Sequence, residues 1–173
     1  MNYTIRKAVP EDLDSIMGVM EAAQKKMSHP EWFCSDEREY MRDHIDSHGF
    51  TLVAETKDTK ELAGFFLIKH PGPSADNLGR ELDYPEELLP YVFHMDMAVV
   101  HPDHQGNRLQ SRMLHMAEEI LSYMWQGPKY LLVTVHPDNL YSLNNMTGNG
   151  YEIKKTTTMY GNLTRHVLEK ILN

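Results

Sequence analysis

MDMAVVHPDHQGNRLQSRMLHMAEE, residues Met95 to Glu119, is the stretch whose reading decides the fold. It closes an apolar strand, Tyr91 to Val100. His101 to Gln105 then breaks the run, since proline cannot continue a β ladder and aspartate opens turns. Arg108 to about Met124 follows as a helix. Leu109, Met113, Met116, Ala117, Ile120 and Met124 recur on one stripe, and Gly127-Pro128 ends it. A buried strand that turns directly into a helix leaves the first peptide N–H groups of that helix without internal acceptors. The helix dipole adds partial positive charge at the same place, so a phosphate can sit there. Gly106 allows close backbone approach, Gln105, Asn107, Arg108 and Gln110 offer donors, and Arg108 adds charge.

Within the strand YVFHMDMAVV, alternation places Val92, His94, Asp96, Ala98 and Val100 on one face. Two ionisable side chains in an apolar strand need hydrogen-bonding partners, because burying them unpaired is costly. One reading is a base, with His94 near its working range and Asp96 orienting it or binding an ammonium. The other is a structural polar pair.

Downstream, Tyr130 to Val135 is a near-continuous apolar run, the mark of a strand covered on both faces. Leu140 to Met146 reads as a short helix stopped by Gly148 and Gly150. Tyr151 to Met159 and Leu163 to Leu172 close the chain as a strand pair around Gly161-Asn162. Upstream, Tyr3 to Ala8 is a short strand, and Pro10 opens a helix whose inner face holds Leu13, Ile16, Met17, Met20 and Met27. A second helix is expected from Ser35 to about His48, with Tyr40, Met41 and Ile45 inward. Between them, Trp32 and Phe33 stand on a loop and either line a pocket or cap the core edge. Phe50 to Glu55 and Leu62 to Ile68 form an antiparallel pair. Pro71 to Pro90 holds four of the nine prolines. It is too long for a hairpin turn, and reads either as a lid or as a solvated insertion. The order β-α-α-β-β-β-α-β-α-β-β gives an α/β fold, a mixed sheet with helices on its faces.

The composition agrees. At 173 residues, the chain is expected to form one domain over residues 1–173. Apolar residues make up 41% and charged residues 24%, which excludes wholesale disorder and coiled coil. Seventeen basic against 25 acidic residues give a net charge of −8, which disfavours nucleic acid and tolerates a cationic substrate. No apolar run approaches the roughly 20 residues that span a bilayer, so no membrane association is expected. With no signal-like segment at Met1 and one cysteine, Cys34, a cytoplasmic location is expected. His101, His104 and His136 lack the spacing of a zinc site, so no metal is expected.

The run V-H-P-D-H-Q-G-N-R-L-Q-S-R-M-L resembles the acetyl-CoA signature of the GCN5-related N-acetyltransferases (GNAT), [RQ]-x-x-G-x-[GA] after the fourth strand. H-P-D-N-L-Y-S-L-N-N-M-T-G-N-G-Y resembles the same family's second cofactor segment, with Asn139, Ser142, Gly150 and Tyr151 in its places. The element order fits over nearly the whole chain. The resemblance implies a GNAT-type mixed sheet of about seven strands with helices on both faces. It also implies that the fourth and fifth strands splay apart around the pantetheine arm of acetyl-CoA. Main-chain groups of Ala98, Val99 and Val100 would then bond that arm. The amides of Gln105, Gly106, Asn107, Arg108, Leu109 and Gln110 would cradle the pyrophosphate, and Asn139 and Ser142 would touch the cofactor. Trp32, Phe33 and the Pro71 to Pro90 segment would shape the acceptor pocket.

Two positions depart from the family pattern. Arg108 and Gln110 replace the signature's two small residues. Both are expected to take helical angles, which suit any residue, with Arg108 adding a phosphate contact. Met146 stands where many members carry a tyrosine that protonates the leaving thiolate, and Tyr141 or Tyr151 could substitute. The implied activity is direct acetyl transfer from acetyl-CoA to a primary amine of a small molecule, or less readily of a protein or peptide. Such transfer needs a neutral nitrogen, hence a proton acceptor such as His94 or Asp96. The alternative is a non-catalytic CoA- or acyl-CoA-binding sensor. A further reading has Leu163 to Leu172 pairing across a homodimer as an edge strand.

Overall fold

The computed structural model describes residues 2–32 and 38–173. Seven strands form one sheet in the order β1-β2-β3-β4-β5-β7-β6. They are β1 (Tyr3–Lys7), β2 (Gly49–Thr56), β3 (Leu62–Lys69), β4 (Val92–Val100), β5 (Lys129–Val135), β6 (Glu152–Met159) and β7 (Leu163–Leu172). Four α-helices join them: α1 (Leu13–Lys25), α2 (Arg38–Asp43), α3 (Leu109–Met124) and α4 (Leu140–Gly148). The β1–β2, β2–β3, β5–β7 and β6–β7 pairs are antiparallel, and β4–β5 is parallel. This is the mixed α/β sheet with helices that the element order predicted. No helix among the described residues is long and apolar enough to cross a membrane.

The chain forms two compact units, Met1–Lys69 with Met97–Glu119, and His70–Asp96 with Ile120–Asn173. In the first, β2 and β3 are buried almost throughout. Leu13, Ile16, Val19 and Met20 of α1 and Met41 of α2 join Val53, Phe65, Leu67, Met97 and Val99 in one cluster. The spacing of those α1 residues is the helical stripe read from sequence, with Met17 only half-buried. Gly64 of β3 lets β4 approach: a Cβ there would lie 2.7 Å from the Val99 carbonyl oxygen. At the entry to α1, Asp12 is buried. It takes both Arg6 guanidinium nitrogens, at 2.7 and 2.9 Å, and the Val9 N–H at 2.9 Å. The Arg6 bonds and the Val9 amide hold the Asp12 carboxyl below the usual carboxylate range, against the opposing effect of burial.

The second helix is shorter than expected. It ends at Asp43, because Ile45 N–H bonds the Arg42 carbonyl in a tighter turn and His48 then takes a φ of +52°. Met41 and Ile45 are nonetheless buried. The residues from Ser35 to Glu37, where that helix was expected to begin, lie outside the described residues, as do Phe33 and Cys34.

In the second unit, the Pro71 to Pro90 segment is neither a plain loop nor a solvated insertion. It folds into two 3₁₀ turns, Leu78–Leu82 and Glu86–Tyr91. Buried Asn77 ties it together, donating to the Gly72 carbonyl at 2.7 Å and the Leu89 carbonyl at 3.2 Å. Arg80 pairs with Glu86 and donates to the Ser74 and Pro73 carbonyls. Leu78, Leu82 and Tyr84 pack on Val92, Tyr130, Leu132 and Met159, and Lys155 donates to the Glu81 carbonyl at 2.8 Å. The closing strands require a correction as well. β7 lies between β5 and β6, so Leu163 to Leu172 is an interior strand and cannot pair across a dimer as an edge. The edge is β6, exposed along most of its length.

Candidate active site

β4 and β5 pair only at Val92–Tyr130, Phe93–Leu131 and His94–Leu132. Both strands continue beyond the last rung, β4 to Val100 and β5 to Val135, while β5 stays paired to β7. The ladder therefore stops in the middle of two uninterrupted strands, as the splay of the fourth and fifth strands requires.

In the first unit, β4 ends in the His-Pro-Asp turn. The His101 N–H donates to the Ala63 carbonyl at 2.8 Å, and His101 Nδ1 accepts the Asp103 N–H at 3.3 Å. Buried His104 faces the Tyr3 hydroxyl at 3.1 Å and locks the turn onto β1. Asn107 donates to the His104 and Gln105 carbonyls. Gly106 has a φ of +79°, the left-handed conformation glycine tolerates best. Arg108 has a φ of +55°. It is therefore not helical, as the sequence reading assumed, but occupies a backbone state that favours glycine, which is what the signature has there. The first bond of α3 runs from the Arg112 N–H to the Arg108 carbonyl at 3.0 Å. The amides before it have no acceptor inside the helix. Arg108 stands at the cap position and carries no acceptor to satisfy them. Gln110 lies inside the first turn, and its side-chain amide donates to the Ala98 carbonyl at 3.3 Å.

In the second unit, α4 opens on Asn139, whose side-chain oxygen accepts the Ser142 N–H at 3.1 Å. Met146 is buried, and so is Tyr151, with the Lys170 ammonium 5.6 Å from its ring centre. Tyr141 is 68% exposed. His94 is buried, and its Nε2 accepts the Leu78 N–H at 2.9 Å. That bond needs the Nε2 lone pair, so a neutral ring carries its proton on Nδ1. Asp96, two residues on, is exposed. Sequence alternation placed these two on one face, and their burial separates them: His94 anchors the folded insertion, while Asp96 reaches solvent. Trp32 ends a 3₁₀ turn, Pro30–Trp32, and stacks on His29 at 4.1 Å between ring centres. Among the described residues, no group of three His, Cys, Asp or Glu side chains could hold a metal.

Residues 18–151 match the model of the acetyltransferase (GNAT) family. This chain belongs to that family. It is thus an acetyltransferase by descent, and both resemblances read from the sequence fall within the matched span. No protein of curated function matches the GNAT chain by sequence. Solved structures do match by fold. A GNAT acetyltransferase from Listeria monocytogenes 4b F2365 is 17% identical, with a TM-score of 0.72 over 98% of this chain and 95% of that one. The PaiA N-acetyltransferase from Thermoplasma acidophilum, solved with coenzyme A, is 17% identical, with a TM-score of 0.70 over 98% and 99%. YncA from Salmonella typhimurium, solved with its cofactor acetyl-CoA, is 15% identical, with a TM-score of 0.71 over 99% and 94%. At such identities the likeness establishes the fold.

Proposed function

We propose that this GNAT protein transfers the acetyl group of acetyl-CoA directly to the primary amine of a small molecule, in the cytoplasm. The observation that carries this reading is the head of α3. A turn with two positive-φ residues, Gly106 and Arg108, presents amides with no acceptor in the helix beside an exposed guanidinium. That chemistry fits a diphosphate on a chain of net charge −8. The amides of Gln105 to Gln110 would hold the diphosphate, and the main chain of Ala98 to Val100 the pantetheine arm. Asn139 and Ser142 would contact the cofactor from the start of α4, and Trp32 and Phe33 would line the acceptor side.

In the transfer, the new carbon–nitrogen bond forms as the carbon–sulfur bond breaks, and the amine must give up a proton. Exposed Asp96 suits the acceptor of that proton or the partner of the incoming ammonium. His94, engaged by Leu78, suits the positioning of strand and insertion. No side chain need protonate the departing sulfur, since a thiol of pKa about 8.5 is a fair leaving group near neutral pH. Met146 is thus compatible with turnover.

The test is thiol release from acetyl-CoA across a panel of primary amines. Asp96→Ala should lower kcat by about two orders of magnitude with acetyl-CoA affinity nearly unchanged. His94→Ala should lower turnover less, with a stability loss of about 1–3 kcal/mol from the orphaned Leu78 amide. Wild-type rates in both variants would remove the pair from the chemistry. Failure of acetyl-CoA to bind at millimolar concentration would remove the function.

A further inference from the structure

The carbonyls of a strand point alternately to its two edges. The Val99 carbonyl faces Gly64 of β3, as the 2.7 Å approach to a Cβ built there shows. The Ala98 carbonyl therefore points to the opposite edge of β4, away from β3. On that edge the ladder with β5 has already ended at His94. An open strand edge of this kind is what an extended amide-bearing ligand needs. Yet the Ala98 carbonyl is engaged: the Gln110 side-chain amide donates to it at 3.3 Å, and both residues are half-buried. Glycine or alanine at position 110, the residues of the family signature, could not make this bond.

We propose that Gln110 is a latch. Its side chain competes with the amide N–H groups of the pantetheine arm for the Ala98 carbonyl, and it must swing out before the thioester end of the cofactor can seat. The proposal rests on the cofactor reading above. It predicts that the latch weakens the grip on the pantetheine half of CoA and leaves the nucleotide half untouched, because the diphosphate is held by amides that any residue at 110 supplies.

The experiment titrates CoA and adenosine 3′,5′-bisphosphate, which lacks pantetheine, into the wild type, Gln110→Ala and Gln110→Met. Methionine keeps the length of the side chain and removes the donor. The expected result is a CoA Kd lower by about two- to tenfold in both variants, the worth of one hydrogen bond. The Kd of the bisphosphate should be the same in all three proteins. Unchanged or weaker CoA binding in Gln110→Ala overturns the latch, as does equal tightening of both ligands. A methionine variant that behaves as wild type assigns the effect to bulk and overturns it too. If neither ligand binds any of the three proteins at millimolar concentration, the cofactor reading itself falls, and the latch with it.

Discussion

The tripeptide His-Pro-Asp occurs twice, after β4 and after β5, and folds the same way both times. His101 Nδ1 accepts the Asp103 N–H at 3.3 Å, and His136 Nδ1 accepts the Asp138 N–H at 3.2 Å. The helices that follow are finished differently. α4 is closed by its own sequence, with Asn139 satisfying the Ser142 amide. α3 is entered through Gly106 and Arg108 at positive φ, and its cap position holds a residue with no acceptor to offer. A helix head that caps itself favours stability. One that does not cap itself keeps its amides for a ligand. The two turns thus separate structural from binding helix heads within a single chain, and the difference lies in the one or two residues after the shared motif.

Arg108→Asp should break this contrast most sharply. Aspartate caps helices and tolerates left-handed backbone, so the variant should be more stable than wild type. The carboxylate would meet the diphosphate where the guanidinium now stands, and the acetyl-CoA Kd should rise by about ten- to a hundredfold. Calorimetric titration beside a melting curve checks both signs, and unchanged affinity would place the diphosphate elsewhere. Asn139→Ala should do the reverse on α4. It should cost about 1 kcal/mol of stability, read by denaturant unfolding, with a smaller change in affinity than Arg108→Asp. Arg108→Gly sharpens the comparison further. Relief of the left-handed backbone should raise stability by about 1 kcal/mol, and the loss in CoA affinity then reports the guanidinium alone.

The smallest effect concerns pH and sets one carboxylate of each unit against the other. Asp12 is held low by Arg6 and the Val9 amide. Its stabilisation is present above the unfolded carboxylate value and lost as pH falls through its folded value. Burial pushes Glu169 up, although Lys154 Nζ lies 3.6 Å away. Its contribution has the opposite sign: stability is fully present below the unfolded value and declines as pH rises through the folded one. Unfolding curves across the acid range should therefore show Asp12→Asn less stable than wild type at neutral pH, with the gap closing in acid. Glu169→Gln should be more stable at neutral pH, with its gap also closing in acid. Identical pH profiles for the two variants would contradict both assignments.

Much of this was legible in the residues. Periodicity located all seven strands, and the α1 face of Leu13, Ile16 and Met20 is buried as read. The α3 stripe was read one flank off. Leu114 and Leu121 are buried beside Leu109, Met113 and Ala117, while Met116 and Ile120 are only half-buried and Met124 is 62% exposed. Both flanks of that helix are apolar, and periodicity alone cannot say which one meets a neighbour. Phe33, expected at the acceptor side, lies outside the described residues.

The chain's order of hydrophobic runs, its punctuation by proline and glycine and its two cofactor-like segments determined the fold class and the family. These are local properties, set by side-chain spacing and backbone preference within a few residues. Three things were decided only in three dimensions: that β7 is interior and β6 the edge, that Arg108 adopts a glycine-like backbone, and that Gln110 reaches the Ala98 carbonyl. Each depends on which distant segment packs alongside. Strand order and side-chain reach follow from long-range pairing and from what the neighbouring backbone leaves to be bonded, and no window of sequence contains that information.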